Sequence, residues 1–220
     1  MSAALEVAWL GTVPYGAALE RQLEVIETRR HGGPDRLLLL EHPAVITLGR
    51  SARAENLRSS REELARRSVE VIEVARGGDV TWHGPGQLVG YAIVDLEARG
   101  EPDVERWLRR IEAALIDALG VLGVGAGRIP GRTGVFLEKP VAGRAQKIAS
   151  IGVGLRGWIT WHGFALNLTT APDAFSDIVP CGLHDVRMTS LAEALEAEPT
   201  AALFERARGE VAAAFSRALA

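Results

Sequence analysis

At 220 residues, 47% hydrophobic and 24% charged, the chain is long enough for one folded domain with a sizeable core. A net charge of -3 gives no general attraction to nucleic acid or to an anionic membrane surface, and a single cysteine leaves no internal disulfide to form. No apolar run approaches the ~20 residues of a membrane span, and the first ten residues carry Glu6 and no basic residue, unlike a secretory leader, so the expected compartment is the cytosol.

The first expected element is a short strand over residues 5–10. Tyr15, Leu19, Leu23 and Ile26 then recur at helical spacing over 15–29. Residues 36–41 and 45–48 read as buried strands and 61–67 as a short polar helix. Residues 69–74 read as a strand running into a glycine turn, from which a further strand, 87–96, emerges. Pro102 opens a long helix, as proline at a first helical position does, with Val104, Trp107, Leu108, Ile111, Leu115, Leu119 and Leu122 on its buried face. Strands follow over 133–137, 145–155 and 158–168. Ser190 and Glu193 form a capping-box pattern ahead of a helix through Leu195, and Phe204, Val211, Phe215 and Leu219 stack along a last helix, 201–219. Strands come in adjacent pairs rather than alternating strictly with helices. That predicts an α+β fold, a mixed or mostly antiparallel sheet with packed helices, in one domain over 1–220; the stretch after Glu196 is a candidate small terminal element.

Four clusters carry candidate chemistry. The first is Arg76-Gly77-Gly78-Asp79-Val80-Thr81-Trp82-His83-Gly84-Pro85-Gly86-Gln87, a sharply shaped loop in which glycines let a ligand approach the backbone while Arg76, Thr81 and His83 supply donors. Its spacing matches neither GxGxxG nor GxxxxGK[ST], so a nucleotide-phosphate cradle of those kinds is not expected. The second surrounds Lys147. Of 25 basic residues 23 are arginine, and a lysine kept against that bias suits a group that must be able to give up its proton. Strand alternation groups Lys147 with Ala149, Ile151, Val153 and Leu155, and puts Ser150, Gly152 and Gly154 on a face open to a slender ligand. From spacing alone, a lysine snorkelling from a strand end is the better reading.

The third cluster, residues 161–167, places His162, Phe164, Leu166 and Leu168 on one face and Gly163, Ala165 and Asn167 on the other; a core strand with a hydrogen-bonded histidine is an equally good reading. In the fourth, Cys181 sits between Pro180 and Gly182, outside any regular periodicity. Backbone N–H groups are free beside such a loop cysteine, which suits a nucleophile with an oxyanion site, whereas a purely structural cysteine more often belongs to a helix or strand pattern. Cys181 with His184 and scattered histidines is a poor zinc set, and no residue set argues for a metal or a bound organic cofactor.

Taken together the clusters resemble the lipoyl(octanoyl) transferase family, the octanoyl-[acyl carrier protein]:protein N-octanoyltransferases. The resemblance rests on Glu41-His42-Pro43 with Thr47 and Gly49, on Arg76-Gly77-Gly78 through Gln87, and on Lys147-Ile148-Ala149-Ser150-Ile151-Gly152. It continues through His162-Gly163 with Ala165-Leu166-Asn167 and Pro180-Cys181-Gly182 followed by Met188-Thr189-Ser190-Leu191, in the family's order over about residues 41–191. It implies a fold shared with biotin and lipoate ligases, Cys181 as the acyl-accepting nucleophile and Lys147 as its partner. It also implies substrate contacts from Arg76, Gly77, Gly78, Asp79, Val80, Thr81, Trp82 and His83, from Ser150, Ile151 and Gly152, and from Gly163, Phe164 and Ala165. The implied partners are octanoyl-acyl carrier protein and lipoyl-domain proteins, namely the acyltransferase subunits of 2-oxoacid dehydrogenases and the glycine cleavage H protein. His83 or His162 is an alternative base to Lys147. An ATP-dependent lipoate or biotin ligase that does without Cys181 and a non-catalytic acyl-carrier-binding module are the rival readings.

Overall fold

The structure, a computed structural model, describes residues 5–182 and 185–220, the side chain of Cys181 excepted. The run Arg36-Leu37-Leu38-Leu39-Leu40-Glu41 sets the architecture. Successive strand residues point to opposite faces, so four consecutive leucines need cover on both. As β2 (Arg36–Glu41), the run sends Leu37 and Leu39 to one apolar layer and Leu38 and Leu40 to another, all four buried. Beside it lie β1 (Glu6–Thr12), parallel, and β6 (Gln87–Ile93), antiparallel. The sheet continues through β10 (Ile159–Asn167), β9 (Ala145–Arg156), β8 (Val135–Leu137) and β7 (Ala126–Gly127), while β11 (Val186–Met188) pairs in parallel with the start of β9.

One face is covered by α3 (Val104–Val121) and α5 (Ala201–Ala218). Trp107, Ile111 and Leu115 from α3 and Phe204, Val211 and Phe215 from α5 join Leu37, Leu39, Phe164 and Leu166 in the largest core. Phe164 stacks on Phe215 with centroids 5.0 Å apart, and Gly90 makes room: a Cβ there would lie 2.1 Å from the Phe164 ring. The expected small terminal element is therefore part of the main core. The helix expected from Pro102 begins at Val104, with the Asp103 carboxylate accepting from the Arg106 N–H, so proline precedes the cap and does not occupy the first turn.

The other face is covered by α1 (Tyr15–Arg30), through Ala18, Val25 and Ile26, and by a second sheet, β4 (Glu70–Glu73), β3 (Val45–Leu48) and β5 (Val80–His83). The first motif, read from sequence as one shaped loop, is thus in part a strand: its glycines bracket four β residues paired antiparallel to β3. α2 (Arg61–Arg66) closes the small sheet with Leu64 and carries a full capping box from Ser60 and Glu63. At α4 (Leu191–Ala194) only half of the expected box forms. Ser190 accepts from the Glu193 N–H, while the Glu193 carboxylate turns to Thr189 and Arg187.

Candidate active site

The site lies where β5 and the loop before it face β6, β9 and β10. Alternation along β5 sends Val80 and Trp82 into the small core with Leu64, Phe175 and Ile178, and Thr81 and His83 into a cavity of about 260 Å³. Arg76 is fixed beside them. Its Nε and Nη2 donate to Thr47 Oγ1 at 3.2 and 2.9 Å, Nη2 also to the Thr47 carbonyl at 2.9 Å, and Nη1 to the Gly77 carbonyl at 3.0 Å. Here the Thr47-x-Gly49 pattern acquires a reason. Thr47 supplies acceptors, and a Cβ on Gly49 would sit 2.3 Å from the Gly78 carbonyl oxygen and 2.7 Å from Arg76 Nη1.

On the opposite wall the strands depart from regular pleating twice. Val135 pairs with Ala149 but Phe136 with Lys147, so Ile148 is an extra residue on β9. Ile148 and Ala149 both enter the α3 core, and Lys147 joins Ser150, Ile151 and Gly152 at the cavity instead of sharing a face with Ala149. Lys147 is 3% exposed; its Nζ donates to the Thr133 carbonyl at 3.1 Å and lies 5.5 Å from the Phe136 ring centre. Gly134 leaves space for it, since a Cβ there would be 2.7 Å from Lys147 Cε. The second departure is His162, whose φ of 56° is left-handed. Its N–H leaves the ladder to donate to Gln22 Oε1 at 2.8 Å. Its ring stacks on Trp161 at 4.2 Å and meets Tyr91 edge-on, where alternation had placed it with Phe164.

Three buried histidines and two tyrosines complete the wall. His42 Nδ1–H donates to the Val13 carbonyl at 2.6 Å, which leaves Nε2 to accept from the Tyr91 hydroxyl at 2.7 Å. Burial holds His42 down to about 4, and holds His83 and His162 down to about 3, so all three are neutral at pH 7. Burial likewise raises Tyr15 to about 12 and Tyr91 well above the ordinary phenol range. The His83 tautomer follows from a chain ending on a backbone oxygen. Asn167 Nδ2 donates to the Thr189 carbonyl at 2.9 Å, Gln87 Nε2 to Asn167 Oδ1 at 2.9 Å, and His83 Nδ1–H to Gln87 Oε1 at 2.7 Å. His83 Nε2 is thereby the unprotonated nitrogen.

The cavity brings together Arg76, Gly77, Gly78, Asp79, Thr81, His83, Lys147, Ser150, Ile151, Gly152, Gly163, Phe164 and Ala165, all named from sequence; the side chains of Val80 and Trp82 lie on the far side of β5. Reasoning from residue pattern missed Tyr15, Val89, Tyr91 and the Gly131-Arg132-Thr133 segment, whose only signals were small or polar residues beside strands. Ser150 Oγ and His162 Nε2, both buried, have no protein partner among the described residues. Cys181 lies in a 3₁₀ turn, Pro180–Gly182. That turn docks on Asp79: Gly182 has a φ of 66°, and a Cβ on it would lie 2.9 Å from Asp79 Oδ2. The Cys181 side chain and His184 lie outside the described residues.

Comparison with known proteins fits this geometry. Residues 14–213 match the family model for the lipoyl protein ligase A/B catalytic domain. The chain is 50% identical over 175 residues to an octanoyltransferase of Solibacter usitatus, across 79% of this chain and 76% of that relative. It is 45% identical over 218 residues to an octanoyltransferase of Mycobacterium tuberculosis, across 98% and 87%. Among solved structures, a bi-partite lipoate protein ligase of Thermoplasma acidophilum, described with its E2 lipoyl domain, matches with a TM-score of 0.73 at 17% identity, over 100% of this chain and 84% of that one. A lipoate-protein ligase A bound with ATP gives 0.70 at 16%, over 100% and 86%. At those identities the likeness is one of fold. The chain belongs to the lipoyl protein ligase A/B catalytic-domain family and, within it, to the octanoyltransferases.

Proposed function

We propose that residues 1–220 form one cytosolic catalytic domain that moves an octanoyl group from acyl carrier protein to a lysine ε-amine of a lipoyl-domain protein through a thioester on Cys181. The observation that carries the reading is the buried Lys147 at the end of a cavity with an apolar wall of Val89, Ile151 and Ala165, in a chain 45–50% identical to octanoyltransferases. The E2 lipoyl domain named with the Thermoplasma acidophilum ligase supports a lipoyl-domain acceptor; the acyltransferase subunits of 2-oxoacid dehydrogenases and the glycine cleavage H protein are the acceptors proposed within that class. Among the described residues no helix is long and apolar enough to cross a membrane.

In the first step the Cys181 thiolate attacks the carrier's thioester carbonyl. A new C–S bond forms, the old one breaks, and the carrier leaves as a thiol after taking a proton. In the second step the acceptor amine attacks the Cys181 thioester. A C–N bond forms, the C–S bond breaks, the amine proton leaves, and Cys181 is restored. An amide is more stable than a thioester, so the sequence runs without ATP. A free thiol titrates near ~8.5. Lys147 serves first as the cation that favours the thiolate and then as the acid–base group that moves the thiol and amine protons. The three histidines, neutral at pH 7, keep that wall free of competing imidazolium charge.

Burying an acyl chain is worth ~0.8 kcal/mol per CH₂, so the rate with carrier thioesters should peak near eight carbons and fall severalfold for each two-carbon change; a flat profile would remove the slot. Transfer to a lipoyl domain should proceed without ATP. An absolute ATP requirement, with Cys181→Ser fully active, would place the chain among the adenylate-forming ligases instead.

A further inference from the structure

One buried carboxylate is not used by the chemistry above. Glu112, on the sheet-facing side of α3, is 0% exposed. It accepts from Arg109 Nη1 at 2.8 and 3.1 Å, from Arg128 Nε at 2.7 Å, and from the Gly134 backbone N–H at 3.1 Å. Arg128 Nη2 also donates to the Arg109 carbonyl at 2.8 Å, closing the cluster. Two half-exposed arginines alone would not require the carboxylate to be buried. The Gly134 contact does, because it lies on the inner side of the helix.

That N–H and the carbonyl that receives Lys147 belong to one peptide unit. Thr133 C=O accepts from Lys147 Nζ at 3.1 Å, and Gly134 N–H, on the other side of the same planar bond, donates to Glu112 Oε1. The Thr133–Gly134 peptide is trans, so the two groups point in opposite directions and the line carboxylate, N–H, C=O, amine is continuous. Amide resonance couples its halves: a negative charge at the N–H makes the carbonyl oxygen a stronger acceptor. Gly134 holds the peptide close on both sides, with a φ of 126° and room for no Cβ between the Ala149 carbonyl and Lys147 Cε.

We infer that Glu112 is a positioning residue for Lys147, acting through the Thr133–Gly134 peptide to aim its amine into the cavity and to strengthen the hydrogen bond that holds it there. The inference rests on the role given to Lys147 under the proposed function. Among the described residues, the charged and titratable groups that bear on the pair are Arg109 and Arg128 beside Glu112, and Arg132, Arg76, Asp79, His83, His162, Tyr15 and Tyr91 lining the cavity that Lys147 enters. Removing the Glu112 charge makes the surroundings of Lys147 more positive, which disfavours a cation there.

The test is the pH profile of kcat/KM, per folded molecule, for two variants. Glu112→Gln keeps an acceptor for Gly134 and removes only the charge. It should lower kcat about tenfold, a fraction of the ~10²–10⁴ that a positioned acid–base group contributes. KM should change little, and the alkaline limb should move to lower pH. Arg128→Met leaves the carboxylate on Gly134 with one cation fewer, so it should move that limb to higher pH while lowering the melting temperature. This second variant keeps the inference testable if Glu112→Gln does not fold. A wild-type profile in Glu112→Gln, or limbs that move together in both variants in step with lost stability, would overturn the inference and leave Glu112 a structural ion-pair residue. If Lys147→Ala retains full transfer, the reading of Lys147 itself falls, whatever Glu112→Gln does.

Discussion

The two faces of the large sheet are made from the same strands and follow different rules. Toward α3 and α5, period-2 and period-3.6 patterns meet without interruption: Leu37, Leu39, Phe164 and Leu166 against Trp107, Ile111, Leu115 and Phe215. Toward α1 and the small sheet, β9 carries a bulge at Ile148, β10 a left-handed His162, and the wall buries Arg76, Lys147, three histidines and two tyrosines. One face is arranged to hold the fold. The other accepts desolvation and irregular backbone so that particular atoms meet. Substitutions should therefore separate cleanly, with activity lost on one face and stability on the other.

The largest separation is expected at Lys147. Lys147→Arg keeps a cation but not an amine that can exchange a proton as an acid–base group, and kcat/KM should fall by ~10²–10⁴ with the melting temperature almost unchanged. Full activity in that variant would leave Lys147 a packing residue. On the other face, Phe215→Ala opens a cavity under Phe164 and should cost ~3–5 kcal/mol in urea unfolding, with turnover per folded molecule intact. A fall in turnover to match would mean the faces are not independent.

Acid should act through the site face. His42, His83 and His162 titrate near 4, 3 and 3 in the folded chain and near 6.5 when unfolded. Between those values the unfolded chain binds more protons. Stability is thus fully present above about pH 6.5 and is lost as pH falls toward 4 for His42 and toward 3 for His83 and His162, by at most ~1.4 kcal/mol per histidine per unit. Urea midpoints at pH 7.5, 6.5 and 5.5 read this directly, and a flat series would show that the histidines are not held neutral. Gly49→Ala drives a Cβ against the Gly78 carbonyl and Arg76 Nη1, so KM should rise roughly tenfold, the ~1.4 kcal/mol of one displaced contact. Smallest is the exposed Arg21–Glu24 pair on α1, where Arg21→Ala should change stability by less than ~0.5 kcal/mol and activity not at all.

The same division governs what could be read from the chain. The α3 face, the doubly buried β2 and the α5 stack were legible because burial imposes a period on sequence. Most of the cavity's residues were legible too, but as ordered motifs and not as a geometry. Periodicity put Lys147 with Ala149 and His162 with Phe164, and both placements failed for one reason: a bulge or a positive φ shifts every later side chain without altering residue type. Strand β5 was hidden inside a glycine-rich motif, and Tyr91 inside an apolar run, where nothing local marks a hydroxyl that donates to His42 across the sheet. The Glu112 to Lys147 line joins residues 35 positions apart through a backbone peptide, which no side-chain pattern records.

The central claim is a covalent acyl-enzyme at Cys181. Intact mass spectrometry of the chain mixed with octanoyl-carrier protein, without ATP, should show a gain of one octanoyl group that is absent in Cys181→Ser and is discharged when a lipoyl domain is added. No adduct in the wild-type chain, together with an acceptor that becomes modified only when ATP is supplied, would contradict it.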